Sequence, residues 1–180
     1  TPFRYPPLKE GGRFHRQNEQ SLFYGSKELT TAMTEIAYKR FVARASTKAI
    51  LQAMSIDYTS FCAKIRTDKG INLTVLPFNK YRSQISNPLS HSESQRLGTE
   101  MRHAGVAAFL FYSARRLDGI NCGVFSTEAF ASNKTENNQN WILYDSENVI
   151  EFRPRLHKGN EVEIFHLSDF LIGGTLPLFS

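Results

Sequence analysis

The stretch Val106-Ala107-Ala108-Phe109-Leu110-Phe111-Tyr112 is the longest uninterrupted apolar run in the chain, and it limits what can be built around it. Seven residues fall far short of the roughly 20 that cross a bilayer, so the run predicts a buried strand and excludes a membrane helix. Ser113 to Gly119 then turn the chain into a second strand over 121–125. Fourteen Phe, seven Tyr and one Trp supply the apolar faces to cover such strands, and 180 residues suffice for a core without a disulfide or metal staple. The length fits one domain, taken as residues 1–180.

The other elements follow from local pattern. Residues 1–12 are rich in Pro and end in Gly11-Gly12, an irregular lead-in, and strand-like pieces lie at 12–14 and 22–24. Ser26 is the expected N-cap of a helix of about four turns, whose apolar stripe is Leu29, Ala32, Met33, Ile36, Ala37, Arg40 and Phe41. Residues 56–66 and 71–78 read as a hairpin closed by Asp68-Lys69-Gly70. A polar loop from 79 feeds a helix over 90–104 ended by Gly105. The segment 131–140 is expected to be an exposed loop, and strands are expected at 141–144, 147–153 and 161–166. About eight short strands with two main helices predict an α+β domain.

Charge is unevenly distributed. Through residue 48 there are nine Lys and Arg against four acids, whereas residues 49–180 carry thirteen of each sign, so the whole excess of +5 sits in the first quarter. An anionic ligand or an acidic partner is expected there, with a solvated basic surface as the plainer alternative. No helix-turn-helix, zinc-finger or RNA-binding signature accompanies the charge, and direct nucleic-acid binding is not expected. Cys62 and Cys122 have no nearby Cys or paired His, which predicts two reduced thiols and no zinc. The N-terminal residues lack a signal-peptide pattern, and the expected location is cytoplasmic.

Templates for hydrolases and nucleotide loops are absent: there is no Gly-x-Ser-x-Gly, His-Glu-x-x-His, Gly-x-x-x-x-Gly-Lys or Gly-x-Gly-x-x-Gly. Four residues stand out instead. Arg13 follows two glycines that would let a ligand approach the backbone; Tyr24 leads a Tyr-Gly-Ser turn; Glu35 lies within the first helix; Ser113 ends the apolar strand. Each has an ordinary reading beside the functional one, including a surface pair of Glu35 with Lys39 at i, i+4 and a turn role for Ser113. On the residues alone, the chain is an anion-binding α+β domain, with enzymatic activity an open alternative.

The order of the segments resembles the RES-domain family, named for its Arg, Glu and Ser. Phe3-Arg4-Tyr5-Pro6-Pro7, Gly11-Gly12-Arg13-Phe14, Phe23-Tyr24-Gly25-Ser26 and Thr31-Ala32-Met33-Thr34-Glu35 look like its opening. Ser94-Gln95-Arg96-Leu97-Gly98, Arg102-His103-Ala104-Gly105-Val106, Tyr112-Ser113-Ala114-Arg115-Arg116 and Trp141 look like its later segments, and eleven residues separate Arg13 from Tyr24 and Tyr24 from Glu35. The resemblance implies a toxin of a bacterial type II toxin–antitoxin pair, with a mostly antiparallel split sheet, flanking helices and an ADP-ribosyltransferase-like fold. It also implies a cytoplasmic protein that consumes NAD as substrate, by phosphorolysis with inorganic phosphate or by hydrolysis, and a helical, DNA-binding, Xre-related antitoxin that covers the active site.

Carried over by position, Arg13, Glu35 and Ser113 are the implied catalytic residues, with Tyr24 beside them and Arg4 matching a recurrent N-terminal arginine. A guanidinium fork suits pyrophosphate, giving Arg13 and Arg4 that role. Glu35 would stabilise the oxocarbenium-like ribose, Tyr24 would stack on nicotinamide or its ribose, and Ser113 would hydrogen-bond phosphate, ribose or acceptor. An acceptor phosphate would be oriented by Arg13, Arg115 or Arg116. The alternatives are a protein ADP-ribosyltransferase and a non-catalytic module that binds an acidic partner.

Overall fold

The computed structural model describes residues 3–4, 11–47, 52–156 and 162–178, and these form an α+β fold of two four-stranded sheets and three α-helices. The first sheet has the order β1-β5-β4-β3, from Phe23–Ser26, Ile120–Val124, Ala108–Tyr112 and Gly70–Asn72. The second runs β2-β6-β7-β8, from Met54–Cys62, Glu136–Asp145, Val149–Pro154 and Glu163–His166. All pairings are antiparallel except β3 with β4.

The apolar run does become a buried strand, and its polar turn returns as β5. Alternation along β4 sends Phe109 and Phe111 into a core with Phe14, Leu22, Met101 and Val106, under helix α3 (Ser92–His103). Ala107, Ala108 and Val124 instead meet Ala129, Phe23 and Phe130. Helix α1 (Leu29–Ala45) covers the second sheet, where Met33, Ala37, Tyr38 and Phe41 pack on Trp141, Leu143, Ile150 and Phe152. Gly105, at φ +73, ends α3 as expected, with its N–H and that of Val106 bonded to Arg102 and Met101 carbonyls.

Several expectations are corrected. Strands β2 and β3 do not pair as a hairpin: β2 joins β6 and β3 lies parallel to β4, because each finds a better buried neighbour than the other. The N-cap of α1 is Glu28, and Ser26 lies in β1 with its hydroxyl turned to Asn121. The stripe on α1 is also rotated, since Leu29 is 38% exposed while Thr31, Thr34 and Tyr38 are buried. The polar segment 131–140 is exposed, yet from Glu136 it is already strand, paired with β2. Within the expected loop after residue 79, a 3-10 turn (Phe78–Tyr81) and a short helix α2 (Arg82–Ile85) form. Residues 12–14 form a tight turn bridged from Gly12 to His15 rather than a strand. Most of the lead-in, and part of the strand expected from 161, lie outside the described residues.

Candidate active site

Glu35 projects from the second turn of α1 toward the first sheet. It makes no pair with Lys39. Its Oε1 accepts two hydrogen bonds, from Ser113 Oγ and from Asn121 Nδ2, each at 2.7 Å. Two donors on one oxygen fix the carboxylate plane, and no described side chain bonds the other oxygen. Asn121 is buried in β5 and is itself held by Ser26 Oγ, which donates to Asn121 Oδ1 at 2.6 Å. Ser113 Oγ in turn accepts the backbone N–H groups of Arg115 and Arg116, both at 3.0 Å. A continuous chain of donors and acceptors therefore runs from β1 through β5 and α1 to the β4–β5 turn.

That turn comes close to α1 because residue 119 is glycine. A Cβ there would lie 2.9 Å from the Thr31 methyl, and Gly119 O accepts the Ser113 N–H at 2.7 Å. A larger residue would push Ser113 away from Glu35.

Arg13 is half-buried, and its Nη1 donates to Asn87 O at 2.9 Å. Burial lowers its pKa to about 10, with Arg115 acting in the same direction and Glu35 opposing. It stays charged at neutral pH, within electrostatic reach of Glu35, Arg115, Tyr24 and Tyr38. Arg115 stacks 3.6 Å over the Tyr38 ring and donates to Pro88 O at 3.1 Å. His91 lies beside both arginines and is driven down to about 3, by burial first and then by Arg13 and Arg115, so it is neutral.

Tyr24 borders the same cluster. Its hydroxyl accepts the Phe14 N–H at 3.1 Å, its ring meets Phe111 edge-on, and burial raises its pKa. The hydroxyl is thus engaged in holding the turn that presents Arg13. The two glycines before Arg13 do not leave room for a ligand, contrary to the expectation: a Cβ on Gly12 would fall 2.3 Å from the His15 ring, and one on Gly11 2.7 Å from His15 O. They make space for the chain's own buried histidine.

Arg13, Tyr24, Glu35 and Ser113 are thus brought together from four segments. Arg4 is exposed, its neighbour Phe3 packs on Phe130, and no hydrogen bond or ion pair among the described residues joins it to the other four. The sequence reading missed Asn121, Ser26 and His91. A lone Asn between Ile120 and Cys122 in a buried strand was the available signal, because Asn is a poor strand former that needs a partner when buried.

Ser113 also opens onto a cleft of about 590 Å³ between the Lys80–Ser86 segment and the β4–β5 turn. Lys80, Arg82, Arg115 and Arg116 line it, with no carboxylate among the lining residues. No group of three or more His, Cys, Asp or Glu suited to a metal occurs among the described residues, and no described helix is long and apolar enough to cross a membrane. Both cysteines are free.

No curated protein matches the chain. A protein-family comparison matches residues 1–145 of the 180 to the RES domain, a span that holds every residue of the Glu35 cluster. The chain belongs to the RES-domain family.

Proposed function

We propose that the protein is a toxin that cleaves the nicotinamide–ribose bond of NAD. The observation that carries this reading is the Glu35 carboxylate, fixed through one oxygen by Ser113 and Asn121 and open at the other, with Arg13 and Arg115 alongside. As the C1′–nitrogen bond breaks, its electron pair leaves with nicotinamide and positive charge develops on the ribose. A preoriented carboxylate stabilises that charge without reorganising. The guanidinium of Arg13 holds the pyrophosphate. An anionic oxygen of phosphate then bonds to C1′, or a water oxygen does so and gives up its proton to solvent or to the carboxylate. Family membership supports an antitoxin partner; in this reading it is Xre-related and covers the basic face.

The test is nicotinamide release by purified protein, with and without millimolar phosphate. Glu35→Gln keeps the shape and removes the charge, and release should fall by about 10³-fold or more. A variant as fast as wild type refutes the role of Glu35. Phosphate-dependent release identifies a phosphorylase, phosphate-independent release a glycohydrolase, and label appearing on protein an ADP-ribosyltransferase.

A further inference from the structure

The cleft beside Ser113 has more positive charge than the Glu35 cluster uses. Lys80 and Arg82 stand on one wall, with Ser83 of helix α2 beside them, and Arg115 and Arg116 on the other. Arg82 is held 4.0 Å over the Tyr112 ring, so its guanidinium is oriented before any ligand arrives. Neither Lys80 nor Arg116 pairs with a described carboxylate. Two described acids border the cleft: Glu35, behind Ser113 and already held by Ser113 and Asn121, and Asp118, which meets Arg82 at 3.4 Å and is 78% exposed. Asp118 lies on the rim, where it occupies the guanidinium that an incoming anion would need.

We propose that this cleft is a subsite for a dianionic phosphate, adjoining the Glu35 cluster through the Ser113 and Arg115 they share. Its volume of about 590 Å³ lies within the range for ligand-sized sites, which suits a phosphate carried on a nucleoside as well as the free ion. Two sources share that chemistry: a phosphate ester on the adenosine part of the dinucleotide, as in a 2′-phosphorylated NAD, or inorganic phosphate. The inference rests on the proposed function only for the identity of the dinucleotide. Binding rather than turnover tests it, so the two readings can fail separately.

Calorimetric titration of the wild-type protein with inorganic phosphate, ADP-ribose and 2′-phospho-ADP-ribose, at fixed ionic strength, gives the reference affinities. Lys80→Gln and Arg116→Gln should each weaken binding of the phosphate-bearing ligand on the order of tenfold and leave ADP-ribose unchanged. Asp118→Asn should tighten it several-fold, a gain that misfolding cannot produce. Asn suits the left-handed backbone at this position, where φ is +59. If the losses and the gain appear with inorganic phosphate, the subsite takes the free ion; if they appear only with the 2′-phosphorylated ligand, it selects that dinucleotide. Equal affinities for ADP-ribose and its 2′-phosphate, together with phosphate binding that none of the three substitutions moves, would overturn the proposal.

Discussion

Among the described residues, Asp145 is the buried acid whose loss should destabilise the fold through electrostatics. It is 1% exposed at the end of β6, and its carboxylate accepts from Arg40 Nε at 2.7 Å, from Arg40 Nη2 and from Arg44 Nε. Both arginines come from the last turns of α1, so this acid ties the helix that carries Glu35 to the second sheet. Asp145→Asn keeps the volume, but removes the charge and turns an amide donor toward two guanidinium groups. Breaking a buried pair costs roughly 3–5 kcal/mol. The Arg40 and Arg44 side chains are 24% and 10% exposed, so water partly rehydrates them, which places the loss near the low end, about 3 kcal/mol. At roughly 2–4 °C per kcal/mol for a chain of this size, the melting temperature should fall by about 6–12 °C. Thermal melts followed by circular dichroism measure this directly. Asp57→Asn is the control, because its pair with Arg155 is solvent-exposed on both sides, and its melt should move by no more than about 2 °C. A melt of Asp145→Asn within 2 °C of wild type, or equal shifts in the two variants, would refute the assignment of the buried cluster as the tie.

Asn121→Ala removes one of two donors on Glu35 Oε1 and should lower kcat for nicotinamide release by about 10- to 100-fold with little change in KM, as a positioning residue does. A rise in KM alone would place Asn121 in substrate binding instead. Gly98→Ala would set a Cβ 2.1 Å from the backbone oxygen of Phe14, so a loss of about 1–3 kcal/mol or more should show in urea unfolding, and a neutral result would mean that α3 can shift freely. His15 and His91 are both held below the ordinary histidine value, chiefly by burial, with Arg102 adding at His15 and Arg13 at His91. The unfolded chain therefore takes up protons below about pH 6.5 that the folded chain refuses, so stability is greatest above that pH and falls as the solution is acidified. Urea midpoints between pH 7.5 and 5.5 should fall less steeply in His91→Gln than in wild type, and identical slopes would exclude His91 from the effect.

The parts of this fold that could be read in the sequence are those set by local physics. The apolar run, the turn at 113–119, the stop at Gly105 and the long first helix all depend on neighbours a few residues apart. What could not be read depends on distant partners. The segment from 136 is polar on the surface but is strand because β2 offers it a ladder, and β3 leaves β2 because β4 is the more buried neighbour. Ser26 is an ordinary cap candidate until Asn121, 95 positions away, claims its hydroxyl. Arg13, Tyr24, Glu35 and Ser113 were legible as candidates, but only the structure brings in Asn121, which reaches Glu35 from a strand 86 positions away.

Helix α1 explains why the site needs both sheets. Its Met33, Ala37 and Phe41 side is buried on the second sheet, while Thr31 and Glu35 meet the turn and strand of the first. A helix apolar on one side and polar-buried on another has no clean amphipathic stripe, which is why the sequence pattern placed the buried face wrongly at Leu29 and missed Thr31 and Thr34. Rotating α1 to bury Leu29 would turn Glu35 away from Ser113 and Asn121. The Asp145 tie to Arg40 and Arg44 opposes that rotation from the far end, and the Thr31 contact beside Gly119 opposes it from the near end. The orientation of the carboxylate that the proposed chemistry uses is therefore set by contacts to both sheets, so substitutions at Asp145 should reduce the turnover of molecules that still fold, in proportion to how far α1 is freed.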